Sequence, residues 1–245
     1  MVESTIVYDD TSFRKFLSWT NQTEKLGKEI LALTKPSDKT LLDIGAGNGD
    51  LTETYIGHFE QKVLLEPTRA FYDGLLERFP GATVKQIKVE EFRNDATRFD
   101  LIVASHVLYY VSDPFKVIDR LLSSLSTGGR LVMILVDKDC SYLEFIDAFY
   151  YRITGMQHHF TDITWNDILA YLKTQSLHCE VRDVPISIDA PSLDDFLNVS
   201  DFIFNVEASQ IPDEYLSEMR TYLKDYLTAD GLRLEAGNKI IVVAK

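Results

Sequence analysis

The stretch Leu41-Leu42-Asp43-Ile44-Gly45-Ala46-Gly47-Asn48-Gly49-Asp50 decides how this chain is read. An apolar run of strand type enters a loop with glycine at every second position, and a helical pattern starts directly after it. Glycine lacks a Cβ, so such a loop can take positive φ and let a ligand approach the main chain. The N–H groups at the start of the following helix then face that ligand. A glycine-rich loop alone is a weak signal. Its weight comes from Glu66, in Val63-Leu64-Leu65-Glu66-Pro67, at the end of the next strand. A carboxylate placed there can accept hydrogen bonds from both hydroxyls of a ribose. The spacing is G-x-G-x-G after an aspartate, unlike the G-x-G-x-x-G of dinucleotide-binding loops.

Outward from this loop, residues 40–44, 62–65, 83–87, 100–104 and 131–136 read as short apolar strands. Residues 51–58, 68–78 and 114–125, between them, read as helices. This alternation predicts βαβ units and a parallel sheet covered on both faces. Upstream, Phe13, Phe16, Leu17, Leu26, Ile30, Leu31 and Leu33 recur at helical spacing, so one or two amphipathic helices open the chain. Downstream of residue 140 come an aromatic helix at 142–154 and a helix at 165–173 introduced by Thr164. A strand at 179–184 and mixed helix at 194–227 follow, and then a last strand at 239–244 after the turn Gly237-Asn238.

With 245 residues, 45% of them hydrophobic, the chain can bury a sizeable core without disulfides or a metal. Its formal net charge is −13. Nucleic-acid backbones and anionic lipid surfaces are bound by clustered Lys and Arg, so this balance excludes both as primary partners and favours a neutral or cationic substrate. Cys140 and Cys179 have no metal-ligand or redox spacing and read as reduced thiols. The N-terminal MVESTIVYDD has no apolar core of a signal peptide. The longest apolar runs fall far short of the ~20 residues a membrane span requires. A soluble, cytoplasmic protein is expected, without nucleic-acid or membrane partner and without a metal.

The loop and Glu66 resemble the cofactor motif of class I S-adenosylmethionine-dependent methyltransferases. Two further landmarks support the resemblance. Phe99-Asp100-Leu101-Ile102-Val103-Ala104-Ser105-His106 is similar to the fourth-strand motif, whose end lies beside the transferred methyl group. Leu125-Ser126-Thr127-Gly128-Gly129-Arg130-Leu131 is similar to the turn entering the fifth strand, with Thr127 where the family usually has proline. The resemblance implies a Rossmann-like α/β fold over a single domain, 1–245. It would have a seven-stranded, mostly parallel sheet with an antiparallel last strand, a helical cap at 1–35 and helical lid insertions at 141–165 and 190–230. It implies S-adenosylmethionine as cofactor, with Asp43 and the backbone of Gly45 and Gly47 around its amino-acid part and Glu66 at the ribose. Pro67 and Ser105 flank that site. The family's acidic residue near the adenine matches Lys88, so this contact is left to the Val89 backbone or a shifted carboxylate.

Within that class the chain is similar to histamine N-methyltransferase and its relatives. The residues concerned are Ser12-Phe13-Arg14-Lys15-Phe16-Leu17, Glu66-Pro67 and Val107-Leu108-Tyr109-Tyr110-Val111, with weaker likeness at 163–172 and 201–205. By position, the resemblance puts Phe13, Tyr109, Tyr110, Tyr142 and Phe204 around a small amine, with Tyr109 and Tyr110 beside the methyl position. The family's polar contacts are shifted: an acidic residue falls on Gln22 with Glu24 two places on, an amide on His106, and an asparagine on Ala236 with Asn238 two places on. Glu24 or Gln22 is therefore expected to meet a substrate nitrogen. His106 is expected to orient the acceptor or take its proton, with an intrinsic pKa near ~6.5. His158-His159 reads as a surface or supporting pair. The expected activity is methyl transfer to a small molecule, at the nitrogen of an amine. The alternatives are O-methylation of a small hydroxyl or carboxylate compound and a non-catalytic cofactor-binding partner protein. The sequence does not set the oligomeric state.

Overall fold

The computed structural model describes residues 10–93 and 97–245. The N-terminal nine residues, on which the reading of the leader rests, lie outside the described residues. In chain order the helices and strands begin with α1 (Asp10–Ser18), α2 (Gln22–Ala32), β1 (Thr40–Ile44), α3 (Asp50–Ile56), β2 (Gln61–Leu65) and α4 (Arg69–Arg78). There follow β3 (Thr83–Lys85), β4 (Phe99–Ser105), α5 (Pro114–Ser123), β5 (Leu125–Val136), α6 (Ser141–Thr154), α7 (Trp165–Thr174) and β6 (Cys179–Val184). The last are β7 (Ser187–Ala190), α8 (Leu193–Leu197), α9 (Ser200–Phe204), α10 (Asp213–Leu223), β8 (Leu227–Thr228), β9 (Gly231–Glu235) and β10 (Asn238–Ala244). They fall into two compact units. The larger is 23–136, 159–184 and 238–245; the smaller holds the described residues of 1–22, 137–158 and 185–237.

The larger unit is built on a seven-stranded sheet in the order β3-β2-β1-β4-β5-β10-β6. β1 runs parallel to β2 and β4, and β10 pairs antiparallel with both β5 and β6. Leu41, Leu42, Leu101, Ile102, Val103 and 131–135 are at most 1% exposed. Strands covered on both faces need such unbroken apolar runs, which is why they stood out in the sequence. α5 starts where Asp113 accepts a hydrogen bond from the Lys116 N–H with Pro114 next in line, a cap that satisfies an otherwise orphaned donor. α7 starts at the reciprocal Thr164–Asp167 capping box. α2 lies tight on α3, because a Cβ at Gly27 would sit 2.4 Å from Thr54 Oγ1. A buried ion pair joins Arg130 of β5 to Asp38, and Arg130 also donates to the Leu33 carbonyl.

One boundary differs from expectation. Residues 125–130 were read as a turn, but β5 already starts at Leu125 and runs on through a register shift against β4 between Phe99 and Leu101. Gly129 permits this, since a Cβ there would meet the Phe99 carbonyl at 2.6 Å.

The smaller unit packs α1, α6, α8, α9 and α10 with a three-stranded antiparallel sheet, β7-β9-β8. The sequence reading placed only helix at 194–227 and missed this sheet. β9 has the period-2 pattern, with Leu232 and Leu234 buried and Arg233 and Glu235 exposed, but each strand is too short for the alternation to stand out. Phe145, Phe196 and Phe204 are fully buried in this unit. Among the described residues no helix is long and apolar enough to cross a membrane.

Candidate active site

The strand order of the larger unit reverses between β1 and β4, since the chain goes from β1 outward to β2 and β3 and returns to β4. In open α/β sheets ligands bind beyond the carboxyl ends of the strands at such a switch point. The glycine loop leaves β1 there. Gly45, Gly47 and Gly49 have φ of 66°, 57° and 82°, the left-handed region that glycine enters without steric cost. The Gly45 and Ala46 N–H groups donate to the Leu65 carbonyl at 2.8 and 3.1 Å, tying the loop to the end of β2. A Cβ at Gly45 would press on Val107, 3.0 Å away, whereas a Cβ at Gly47 would meet no atom within 4 Å. Gly47 is thus glycine for its backbone, with open space on the side where a Cβ would stand.

Glu66, 4% exposed, ends β2 and bridges two loops. Its Oε2 accepts from the Gly47 N–H at 2.9 Å and its Oε1 from the Thr68 N–H at 2.8 Å. Pro67 beside it is exposed. Asp43 behaves differently from the expectation of a ligand contact. Its Oδ2 accepts hydrogen bonds from Thr52 Oγ1 at 2.6 Å and the Tyr55 hydroxyl at 2.7 Å, so it fastens α3 to β1. Burial pushes its carboxyl up to about 6, against the pull of those two hydrogen bonds, and the charge of Glu66 adds to the rise. Val89 is buried in a 3-10 turn whose carbonyl accepts from Arg120.

At the end of β4, Ser105 is partly buried and His106 follows with φ 53°, an uncommon conformation for a residue with a side chain. The His106 N–H donates to the Ile134 carbonyl at 2.9 Å. Its Nε2 is buried and has no hydrogen-bond partner among the described residues, and burial pulls the ring down to about 4, so it is neutral at physiological pH. The next two expected residues divide. Tyr109 is 4% exposed and its hydroxyl accepts from the Val136 N–H, while Tyr110 is 49% exposed and its ring lies 4.4 Å from His159. His106 and Tyr109 ring centroids are 6.4 Å apart.

Two groups here escaped the sequence reading. His159 and Phe160 pack on Tyr109 and Tyr110, a juxtaposition without sequence periodicity. The pair 158–159 splits, and His158 is not at the surface: it is 3% exposed with Nε2 2.5 Å from Asp147 Oδ1. Arg78, whose guanidinium reaches the Asn48 carbonyl, was also missed.

The residues expected around a substrate are only partly as anticipated. Glu24 is exposed on α2 and Gln22, at its start, is partly buried, so Glu24 is not the buried carboxylate that an amine was expected to meet. Residues two apart on a helix face different ways, which is why the shift in the sequence mattered. Asn238 is 2% exposed at the start of β10, opposite Val136. In the smaller unit Phe13 packs on Phe202 at 5.3 Å and Tyr142 on Phe16 at 5.6 Å. Phe204, 1% exposed and 5.8 Å from Phe145, is core. Among the described residues no group of three or more His, Cys, Asp or Glu could hold a metal ion.

Comparisons with known proteins agree with this geometry. Trans-aconitate 2-methyltransferase of Acidovorax ebreus (strain TPSY) is 26% identical over 133 residues, 53% of this chain and 50% of that protein. Ubiquinone biosynthesis O-methyltransferase of Coxiella burnetii (strain Dugway 5J108-111) is 25% identical over 129 residues, 50% and 51% of the two chains. The tRNA U34 carboxymethyltransferase of Haemophilus ducreyi is 28% identical over 143 residues, 54% and 42%. The chain thus spans about half the length of the curated relatives it matches. In fold it is similar to a methyltransferase-like protein of Bacillus halodurans, BH2331, at TM-score 0.64 and 15% identity, with 91% and 98% of the chains covered. The plantazolicin methyltransferase BpumL in complex with SAH superposes at TM-score 0.54 and 13% identity, covering 96% and 86%. The family model for methyltransferase domains matches residues 18–180. That span holds the glycine loop, Glu66 and the end of β4, and the chain belongs to the methyltransferase-domain family, in its Rossmann-like, S-adenosylmethionine-dependent class.

Proposed function

We propose that this protein transfers a methyl group from S-adenosylmethionine to a hydroxyl oxygen of a small molecule. The observation that carries the reading is His106 at the end of β4, a neutral imidazole whose buried Nε2 lacks a hydrogen-bond partner among the described residues. Bound at the switch point, the cofactor supplies an electrophilic methyl group on a sulfonium. The protein's part is to hold, orient and exclude water. The main chain of Gly45 and Gly47 cradles the cofactor, Glu66 meets its ribose, and Pro67, the Val89 backbone and Ser105 line its neighbourhood. The open Cβ direction of Gly47 fits such a ligand. Asp43 acts one step removed, by fixing α3 behind the loop.

With its proton on Nδ1, His106 accepts a hydrogen bond from the acceptor hydroxyl at Nε2, turns an oxygen lone pair toward the methyl carbon, and takes the hydroxyl proton at Nε2 as the oxygen–carbon bond forms and the carbon–sulfur bond breaks. Tyr109, and Tyr110 on the exposed side, frame that oxygen. An amine acceptor was the reading from sequence. It called for a carboxylate to hold the substrate ammonium, and Glu24 is exposed, so the oxygen reading now has the better support. One of the relatives, by name an O-methyltransferase, leans the same way. In this reading residues 1–245 work as one methyltransferase domain.

The test is calorimetry with S-adenosylhomocysteine, followed by radiolabelled methyl transfer to a panel of small phenols, carboxylic acids, amines and bulk tRNA. Methylation of hydroxyl compounds is expected. Labelling of amines alone, or of tRNA alone, would defeat the proposed acceptor, and cofactor binding without any transfer would favour a non-catalytic partner protein.

A further inference from the structure

Arg78 closes the last turn of α4, and its guanidinium forks back to the cofactor loop. Nη1 donates to the Asn48 carbonyl at 2.9 Å and to Asp50 Oδ1 at 2.6 Å, and Nη2 donates to Glu53. Asn48 sits between Gly47 and Gly49, while Asp50 and Glu53 belong to the first turn of α3. The same end of α4 supports the loop sterically, since a Cβ at Gly49 would lie 2.7 Å from Phe79 Cε2 and 2.9 Å from Leu75 Cδ2. The other end of α4 holds the loop too. Glu66, just before the helix, accepts from the Gly47 N–H with one oxygen and from the Thr68 N–H with the other. One ten-residue helix, about 15 Å long, therefore grips successive residues of the loop from both of its ends.

The consequence follows from glycine itself. Gly47 and Gly49 hold positive φ, but glycine enters either sign of φ about equally, so nothing intrinsic keeps the loop in this shape. A ligand that must order a loop before using it binds more weakly than one that finds it ready. We propose that Arg78 is a positioning residue for the cofactor, clamping the Asn48 carbonyl so that Gly47–Asp50 is preset for binding. The proposal rests on the reading of this loop as the cofactor site.

Arg78→Lys tests it, because lysine keeps the charge but presents a single head in place of a planar fork. Kd for S-adenosylhomocysteine is expected to rise at least about tenfold, the scale of a lost hydrogen bond to a charged group. KM for S-adenosylmethionine should rise by a similar factor, while kcat at saturating cofactor and KM for the acceptor stay unchanged. Glu53→Gln removes only the charge from the exposed arm of the fork and should leave Kd within about twofold. Thermal unfolding of each variant is measured alongside. A Kd for Arg78→Lys within twofold of the unmodified chain overturns the proposal, as does a fall in kcat at constant KM. So does an equal loss in Glu53→Gln, which would make the fork a prop for α3 alone. Failure of the unmodified chain to bind S-adenosylhomocysteine would overturn the cofactor reading, and the proposal with it.

Discussion

Asp43→Asn is expected to stabilise the fold relative to the unmodified chain increasingly as pH rises. The Asp43 carboxyl is buried and its pKa stands at about 6 against 3.8 for a free aspartate. A group whose folded pKa is raised binds its proton more tightly in the native state. Its stabilising contribution is full below pH 3.8 and is lost as pH climbs through 6. A shift of roughly two units corresponds to about 3 kcal/mol at 1.36 kcal/mol per unit. Most of it, about 2–3 kcal/mol on the same constant, is lost between pH 4 and pH 7. Asparagine keeps an acceptor for Thr52 and Tyr55, which donate to the same oxygen, but never ionises. The assay is urea unfolding followed by tryptophan fluorescence for both chains at pH 4, 5, 6 and 7, at low concentration because the pI is near 4.8. Titrating groups that do not interact with Asp43 cancel in the difference between the chains. A stability difference that is flat with pH, or that moves against asparagine as pH rises, would refute the reasoning.

Gly47→Val should abolish binding of S-adenosylhomocysteine in calorimetry while costing only about 1–2 kcal/mol of stability, since the backbone has φ 57° and the strain of a Cβ there is of that size. Measurable affinity in that variant would remove the loop from the cofactor site. His106→Asn preserves a residue type that tolerates φ 53° and removes the imidazole. It should lower kcat by about a hundredfold with KM for the cofactor unchanged. Because the His106 ring titrates near 4, the kcat profile of the unmodified enzyme should be flat above pH 5 and fall only as pH drops through 4. An inflection near the ordinary histidine value that vanishes in His106→Asn would contradict this placement.

The shape of the glycine loop and the place of Glu66 were legible because local sequence fixes them. A glycine loop after a buried strand needs its residue types for the backbone alone, and Glu66 is set by its place at the end of the next strand. Long apolar strands such as 131–135, and caps such as Thr164, carry their signals in neighbouring residues. What the sequence hid depends on residues far apart in the chain. Asp43 looked like a ligand contact, and only the approach of Thr52 and Tyr55 from α3 shows it as an anchor. Glu24 was the preferred substrate contact, ahead of Gln22, until helix phase put it outside. The β7-β9-β8 sheet joins three short strands across the intervening helices α8, α9 and α10, each strand too brief to show its alternation. Sequence alone determined the fold of the larger unit and the glycine loop at its switch point, since hydrophobic period and glycine spacing are local quantities. The tertiary structure alone decided that the His106 Nε2 is buried without a hydrogen-bond partner among the described residues and that Arg78 grips the loop, because burial and long-range hydrogen bonds exist only once the chain is packed.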